Sequence, residues 1–160
     1  MRKILFYSLA AVLAIGLWLY THSAVNQIRR VFKEVASIAE RVEGESVMEC
    51  AIRSKRLAEF VAPNCRLIIS ERSLDQIWTS EDVAGGILAF RSSVKSLRVK
   101  FAALQISIRS DHAEVEGEVT LEGPSTFFGI EGTPQRKFVA HLKKGDHNTW
   151  LFTRLELLSR

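Results

Sequence analysis

The chain is poor in the residues from which reactive and metal-binding sites are built, with two cysteines and four histidines in 160 residues, and it has only three prolines to break its helices and strands. So few cysteines exclude a disulfide-dense mini-protein, and Cys50 and Cys65 do not form a CxxC pair. His22, His112, His141 and His147 show no ligand spacing, so no metal site and no cofactor are expected. Glycine-rich phosphate loops, nucleophile elbows, internal repeats and low-complexity segments are absent from the sequence. With 47% apolar against 25% charged residues, the composition is that of a folding chain, of a length that suits one domain.

The net charge of +4 and a pI near 9.3 hint at nucleic acid or anionic lipid, but the position of the charges weighs more than their sum. Residues 4–20, ILFYSLAAVLAIGLWLY, run without a charge between Arg2 and Lys3 on one side and Arg29 on the other. Helical, this run would be about 26 Å long, just enough to cross a hydrocarbon core of about 30 Å. The cations before it predict a cytoplasmic N-terminus and an extracytoplasmic remainder, periplasmic or extracellular. A cleaved signal peptide is the competing reading, but the apolar run is long for one. Cleavage after Ser23 or Ala24 would put Thr21 or His22 where a small residue is wanted. The expected organisation is therefore residues 1–23 as cytoplasmic cap and membrane anchor, and 24–160 as a single exported domain. Taking Arg2 and Lys3 from the 22 basic residues leaves 20 against 18 acidic ones, so the exported part is nearly neutral and nucleic acid is not an expected partner.

In that part, Val25, Ile28, Phe32, Val35, Ala39 and Val42 predict one helix over 24–43, ended by Gly44, with Val31 and Ile38 widening its apolar stripe. Ser46 and Glu49 have capping-box spacing and open a second helix. Its expected apolar side is Val47, Met48, Ala51, Leu57, Ala58 and Val61, and Pro63 is its expected stop. Residues 64–70 read as a short strand and 71–79 as a polar connection. A third helix is expected from Ser80, with Val83, Ile87, Phe90 and Val94 as its stripe and with Gly85 and Gly86 in close backbone packing or weakening it. From Leu97 the period becomes two. Leu97, Val99 and Phe101 are apolar on odd positions and Leu104, Ile106 and Ile108 on even ones, which requires a β-bulge at Ala102 and Ala103. Further strands are expected over 112–121, 137–143 and 150–158. The fold class is α+β: three N-terminal helices packed on a curved, bulged antiparallel sheet, preceded by one transmembrane helix.

The order and spacing of LAEFVAPNCRLI, TSEDVAGGILAFRSSV, LRVKFAALQISI, HAEVEGEVTLEG and NTWLFTRLELL resemble the nuclear transport factor 2-like superfamily over residues 25–158. This is the cone-shaped fold shared by ketosteroid isomerase, SnoaL-type cyclases, scytalone dehydratase and many binding modules. The resemblance implies an apolar pocket between the sheet's concave face and the helices. Alternation assigns Val99, Phe101, Ile106, Ala113, Val115, Val119, Phe138, Ala140 and Leu142 to it, and none of these titrates. An isomerase or dehydratase would need a carboxylate or histidine facing the cavity. Asp75, Trp78 and His141 are the nearest candidates, although His141 shares the parity of Lys137 and Lys143 and so is expected to face water.

The six carboxylates between Asp111 and Glu131 could be read as a cation site, but Glu114, Glu116 and Glu118 alternate outward, where Arg98, Lys100, Lys137 and Lys143 can pair with them. Cys50 and Cys65 flank most of a helix, which separates them by about 16 Å unless residues 62–65 double back, so free thiols are expected. Phe127, Phe128 and Ile130 in the loop PSTFFGIEGTPQ are candidates to meet a partner, with folding back onto the sheet as the alternative. The chain thus reads as a membrane-anchored binding or scaffolding module for a small hydrophobic ligand or a partner segment, similar to the anchor-plus-cone design of some secretion-system inner-membrane subunits, with homodimerisation through the sheet open to it. The alternative is a SnoaL- or ketosteroid isomerase-like enzyme acting on a hydrophobic small molecule.

Overall fold

The computed structural model describes residues 23–123, 126–127, 130–131, 135–146 and 149–158. Helix α1 (Ala24–Ala39) begins where the Ser23 hydroxyl accepts from the Asn26 amide at 3.3 Å. It ends short of the predicted boundary because Arg41 leaves the helix to exchange backbone hydrogen bonds with Leu97, at 2.8 and 3.0 Å. Val42, expected on the buried stripe, is consequently 70% exposed. The Ser46/Glu49 capping box is present and opens α2 (Val47–Ala58). The buried side of α2 matches the expected one at Leu57 and Ala58 but not at Val47, Met48 and Ala51. Cys50, Ser54, Leu57 and Ala58 face inward, while Val47, Met48 and Ile52 are exposed. Ser54 is tolerated inside because its hydroxyl donates to the Cys50 carbonyl at 2.8 Å.

Pro63 does not stop this helix but lies within β1 (Val61–Ile69), where the pairing slips between Val61 and Arg66 and no ladder amide is demanded of it. After a 3₁₀ turn (Ser70–Arg72), the stretch expected to be a connection forms edge strand β2 (Leu74–Trp78). Helix α3 (Ser80–Ser93) begins at the expected Ser80, but its capping hydroxyl is that of Thr79, with Asp82 completing a second capping box. Of its two glycines, Gly86 is closely packed, since a Cβ there would stand 3.0 Å from the Trp78 ring, whereas Gly85 faces open space.

Strands β3 (Arg98–Arg109) and β4 (His112–Glu122), a short hairpin β5 (Thr126–Phe127) and β6 (Ile130–Glu131), then β7 (Gln135–Lys144) and β8 (Trp150–Leu157) follow. The parity switch in β3 is a bulge, as its alternation requires. Ala102 pairs with Glu118 and Gln105 with Glu116, so Ala103 and Leu104 together oppose Gly117, and Ala103 takes φ +53°. Gly117 is needed opposite the bulge, because a Cβ there would come within 2.8 Å of Leu104 and 3.1 Å of Phe138. The main sheet has the order β2-β1-β8-β7-β4-β3 and is mixed, not antiparallel throughout: β1 runs parallel to β8. The closing strand thus slots between the first strand and the meander, and the helices cover one face. Of the described helices, none is long and apolar enough to cross a membrane; the apolar run 4–20 lies outside the described residues.

Candidate functional site

Strand alternation turns Val99, Phe101, Ile106, Ala113, Val115, Val119, Phe138, Ala140 and Leu142 to the helix-covered face, where they belong to one continuous core. The centre of that face is occupied by a side chain from α1. The Phe32 ring lies edge-on to Phe101 and Phe152 at 5.0 and 5.3 Å between centroids, and stacks on Phe138 at 5.7 Å. These arrangements are the favourable ones for aromatic quadrupoles. Among the described residues, no inward strand position carries a carboxylate or a histidine. The charged side chain that the middle of the sheet turns inward is Arg136, 4% exposed and 3.6 Å from Glu71.

The three candidates for acid–base work are not brought together. Asp75 points to the open face of β2, where Arg66 donates to both of its oxygens at 2.7 and 2.6 Å. Trp78 has the register of buried Cys65, lies under Gly86 of α3, and donates its indole hydrogen to Gln76 at 3.1 Å. His141 is on the open face of β7, 3.6 Å from Glu114. The open face is a mosaic of paired charges, though not with every predicted partner. Arg98 and Lys100 meet Glu122, Gln135 donates to Glu118 at 2.7 Å, and Lys137 stands opposite Glu118. Among the described residues, no cluster of histidine, cysteine and carboxylate side chains could hold a metal. Cys50 and Cys65 are free and buried, and burial pushes the Cys65 thiol up to about 11, so it is no nucleophile at neutral pH. Phe128 lies outside the described residues, and Phe127 and Ile130 are described only as backbone of the β5–β6 hairpin.

The perturbed carboxyls are surface groups with structural partners. Hydrogen bonds from Ser46 to Glu49, Arg66 to Asp75, Thr79 to Asp82, His112 to Asp111 and Lys100 to Glu122 hold each below the ordinary carboxylate range. A carboxyl lowered by folding adds stability above its unfolded pKa of about 4, and that stability is lost as pH falls through the lower folded value. The melting temperature is therefore expected to stay level from about pH 7 to 5 and to fall below about pH 4. Scanning calorimetry across that range checks this, and a rise on acidification would contradict it.

A groove of about 230 Å³ lies elsewhere, between the first half of α1 and the start of β8. Val31, Phe60 and Trp150 give it an apolar floor; Gln27, Arg30, Glu34 and Thr149 form the rim. Gln27 accepts from the Trp150 indole at 3.3 Å and so fixes the floor. Glu34 is engaged by Arg56 at 3.6 Å, while Arg30 makes no ion pair among the described residues. An apolar floor beside one uncompensated guanidinium suits a small amphipathic molecule with an anionic head. None of these seven residues was a sequence candidate, since they come from three separated segments; the signal that could have found them is a tryptophan at a strand start, which needs a polar partner when buried.

No family model and no curated protein matches the chain. Solved structures do. A nuclear transport factor 2-like protein with a cystatin-like fold from Novosphingobium aromaticivorans superposes with TM-score 0.64 at 12% identity, over 91% of this chain and 86% of that one. A "Putative Scytalone Dehydratase" from the same organism gives 0.62 at 13% identity, over 85% and 83%. A protein of unknown function with a cystatin-like fold from Nostoc punctiforme gives 0.56 at 13%, over 82% and 86%. At such identities the likeness shows the nuclear transport factor 2-like fold alone, and that fold hosts enzymes and binding proteins alike.

Proposed function

We propose that the chain is a membrane-anchored extracytoplasmic module that binds a small amphipathic ligand or a partner segment. Residues 4–20 are its tether and the cone beyond Ser23 is its working part. The observation that carries the reading is the Phe32 ring at the centre of the concave face, on which no described inward strand position supplies an acid or base. With Phe32 packed on Phe101, Phe138 and Phe152 at the centre of that face, the reading assigns binding to the groove over Val31, Phe60 and Trp150, on the half of α1 nearest the tether. Arg30 would take the ligand's anionic head.

The test uses the full chain in lipid nanodiscs and a fluorescent short-chain fatty acid as probe. Arg30→Ala is expected to weaken binding about ten-fold, and Gln27→Phe, which fills the groove, to abolish it. Equal binding by both variants and the parent would overturn the groove. For the tether, protease added outside sealed vesicles should remove a C-terminal tag; a protected tag would place the domain on the other side. The enzyme alternative rests on the fold shared with the dehydratase-named neighbour.

A further inference from the structure

Three segments form the groove over Trp150: residues 27–34, 59–60 and 144–150. Their described cations are Arg29, Arg30, Lys33 and Lys144, all exposed and without an ion pair among the described residues. Lys144 stands opposite Trp150 in the β7–β8 ladder, so the two project from one face of the sheet. The carboxylates on these segments are Glu34, Glu59 and Asp146, all exposed, and His147 lies outside the described residues. Glu34 is already engaged by Arg56 at 3.6 Å. With Arg56 included, five cations stand against three carboxylates, so the surround of the groove is positive. Its position brings it close to the tether. The apolar run ends at Tyr20, three residues before the Ser23 cap. Three residues span at most about 10 Å and the helix rises about 1.5 Å per residue, so Gln27 stands within about 16 Å of Tyr20. The headgroup layer beyond the hydrocarbon is itself about 5–7 Å deep.

We propose that the groove takes the headgroup of an anionic phospholipid from the membrane that holds the tether. This ligand presupposes the tether and the groove of the proposed function, and names what fills the groove. Arg30 grips the phosphate, where a guanidinium can give two hydrogen bonds to two oxygens. Val31 and Trp150 cover the glycerol carbons, and the acyl chains stay in the bilayer. Size supports this division, since a groove of about 230 Å³ has room for a phosphate with its glycerol but not for a lipid with its chains. The positive surround repels the choline or ethanolamine cation of a zwitterionic lipid and so selects a headgroup of net negative charge. Tethering also raises the effective concentration of membrane lipid at the groove above that of a dissolved anion.

The probe is phosphatidylglycerol with a photoreactive headgroup, diluted into phosphatidylcholine nanodiscs that hold the full chain, and the labelled residues are mapped by mass spectrometry. Label is expected on residues 27–34 and 149–150. Arg30→Ala should lower it about ten-fold, and Arg30→Lys, which keeps the charge, should restore much of it. Arg30 is exposed, so circular dichroism and the denaturation midpoint of both variants should match the parent. Unlabelled phosphatidylglycerol should displace the probe, and added phosphatidylcholine should not. Label confined to residues 4–20, indifference to Arg30→Ala, or equal displacement by phosphatidylcholine or by dissolved inorganic phosphate would each overturn the proposal. The fatty-acid assay separates its failure from that of the groove. Fatty-acid binding that Gln27→Phe abolishes, with no headgroup label on the parent, removes the lipid and leaves the groove; fatty-acid binding indifferent to Gln27→Phe removes both.

Discussion

Glu45→Gln is expected to destabilise the domain by about 3–5 kcal/mol, the cost of removing one partner from a buried ion pair. The carboxylate is almost fully enclosed and meets Arg91 Nη2 at 2.7 and 2.8 Å and Arg53 Nε at 3.1 Å, with Arg41 Nε at 3.8 Å and the Cys50 thiol at 3.3 Å. These arginines also close helix ends. Arg91 donates to the carbonyls of Ile38 and Ala39 at 2.8 and 2.7 Å, and Arg53 reaches those of Ser37 and Glu40. Arg41 donates to the carbonyls of Arg91 and Val94 at the end of α3. Cations are favoured at both sites by the helix dipole, but together they are tolerable inside only because Glu45 neutralises them.

Without that charge, Arg91, 1% exposed, keeps a buried guanidinium with no counterion. Urea denaturation at constant slope should show the loss, equivalent to roughly 10–20 °C in melting temperature. Glu45→Met combined with Arg91→Met should cost less than the sum of the single changes, because the stranded charge goes with its partner. A shift under about 1 kcal/mol for Glu45→Gln would mean that water screens the cluster.

That cluster explains where the sequence could and could not be read. The bulge in β3 was legible because it is a local contradiction of parity between Phe101 and Leu104, and the capping box at Ser46 because its spacing is local too. The buried side of α2 was not. Val47, Met48 and Ile52 outweigh Cys50 and Ser54 on any hydrophobic count, but Cys50 is drawn inward beside Glu45, whose partners Arg53 and Arg91 come from α2 and the distant α3. Strand β2 was missed because an edge strand can stay polar, with Asp75, Gln76 and Ile77 all exposed. The parallel pairing of β1 with β8 joins segments far apart in sequence and leaves no local mark. The inward-facing set of the sheet was readable from alternation; that Phe32 fills the space above it was not, because a helical stripe names a side chain without saying what it meets.

Phe32→Ala tests that filling and is expected to cost about 3–5 kcal/mol, as for other buried aromatic truncations. The ring is 2% exposed and packs against Phe101, Phe138 and Phe152 together, so its removal leaves a void walled by aromatic and aliphatic carbon. A void of that lining stays dry and takes up small apolar molecules. Benzene should therefore raise the melting temperature of Phe32→Ala and leave that of the parent unchanged, with methyl shifts at Val115 and Leu142 reporting occupancy. The opposite outcome, benzene entering the parent at the same methyls, would mean that Phe32 swings aside and that the cone is itself a ligand chamber. In that case the general base sought on the inward strand positions would have to come from a side chain that reaches the chamber over its rim, and Glu71, held 3.6 Å from the inward Arg136, would be the first to change.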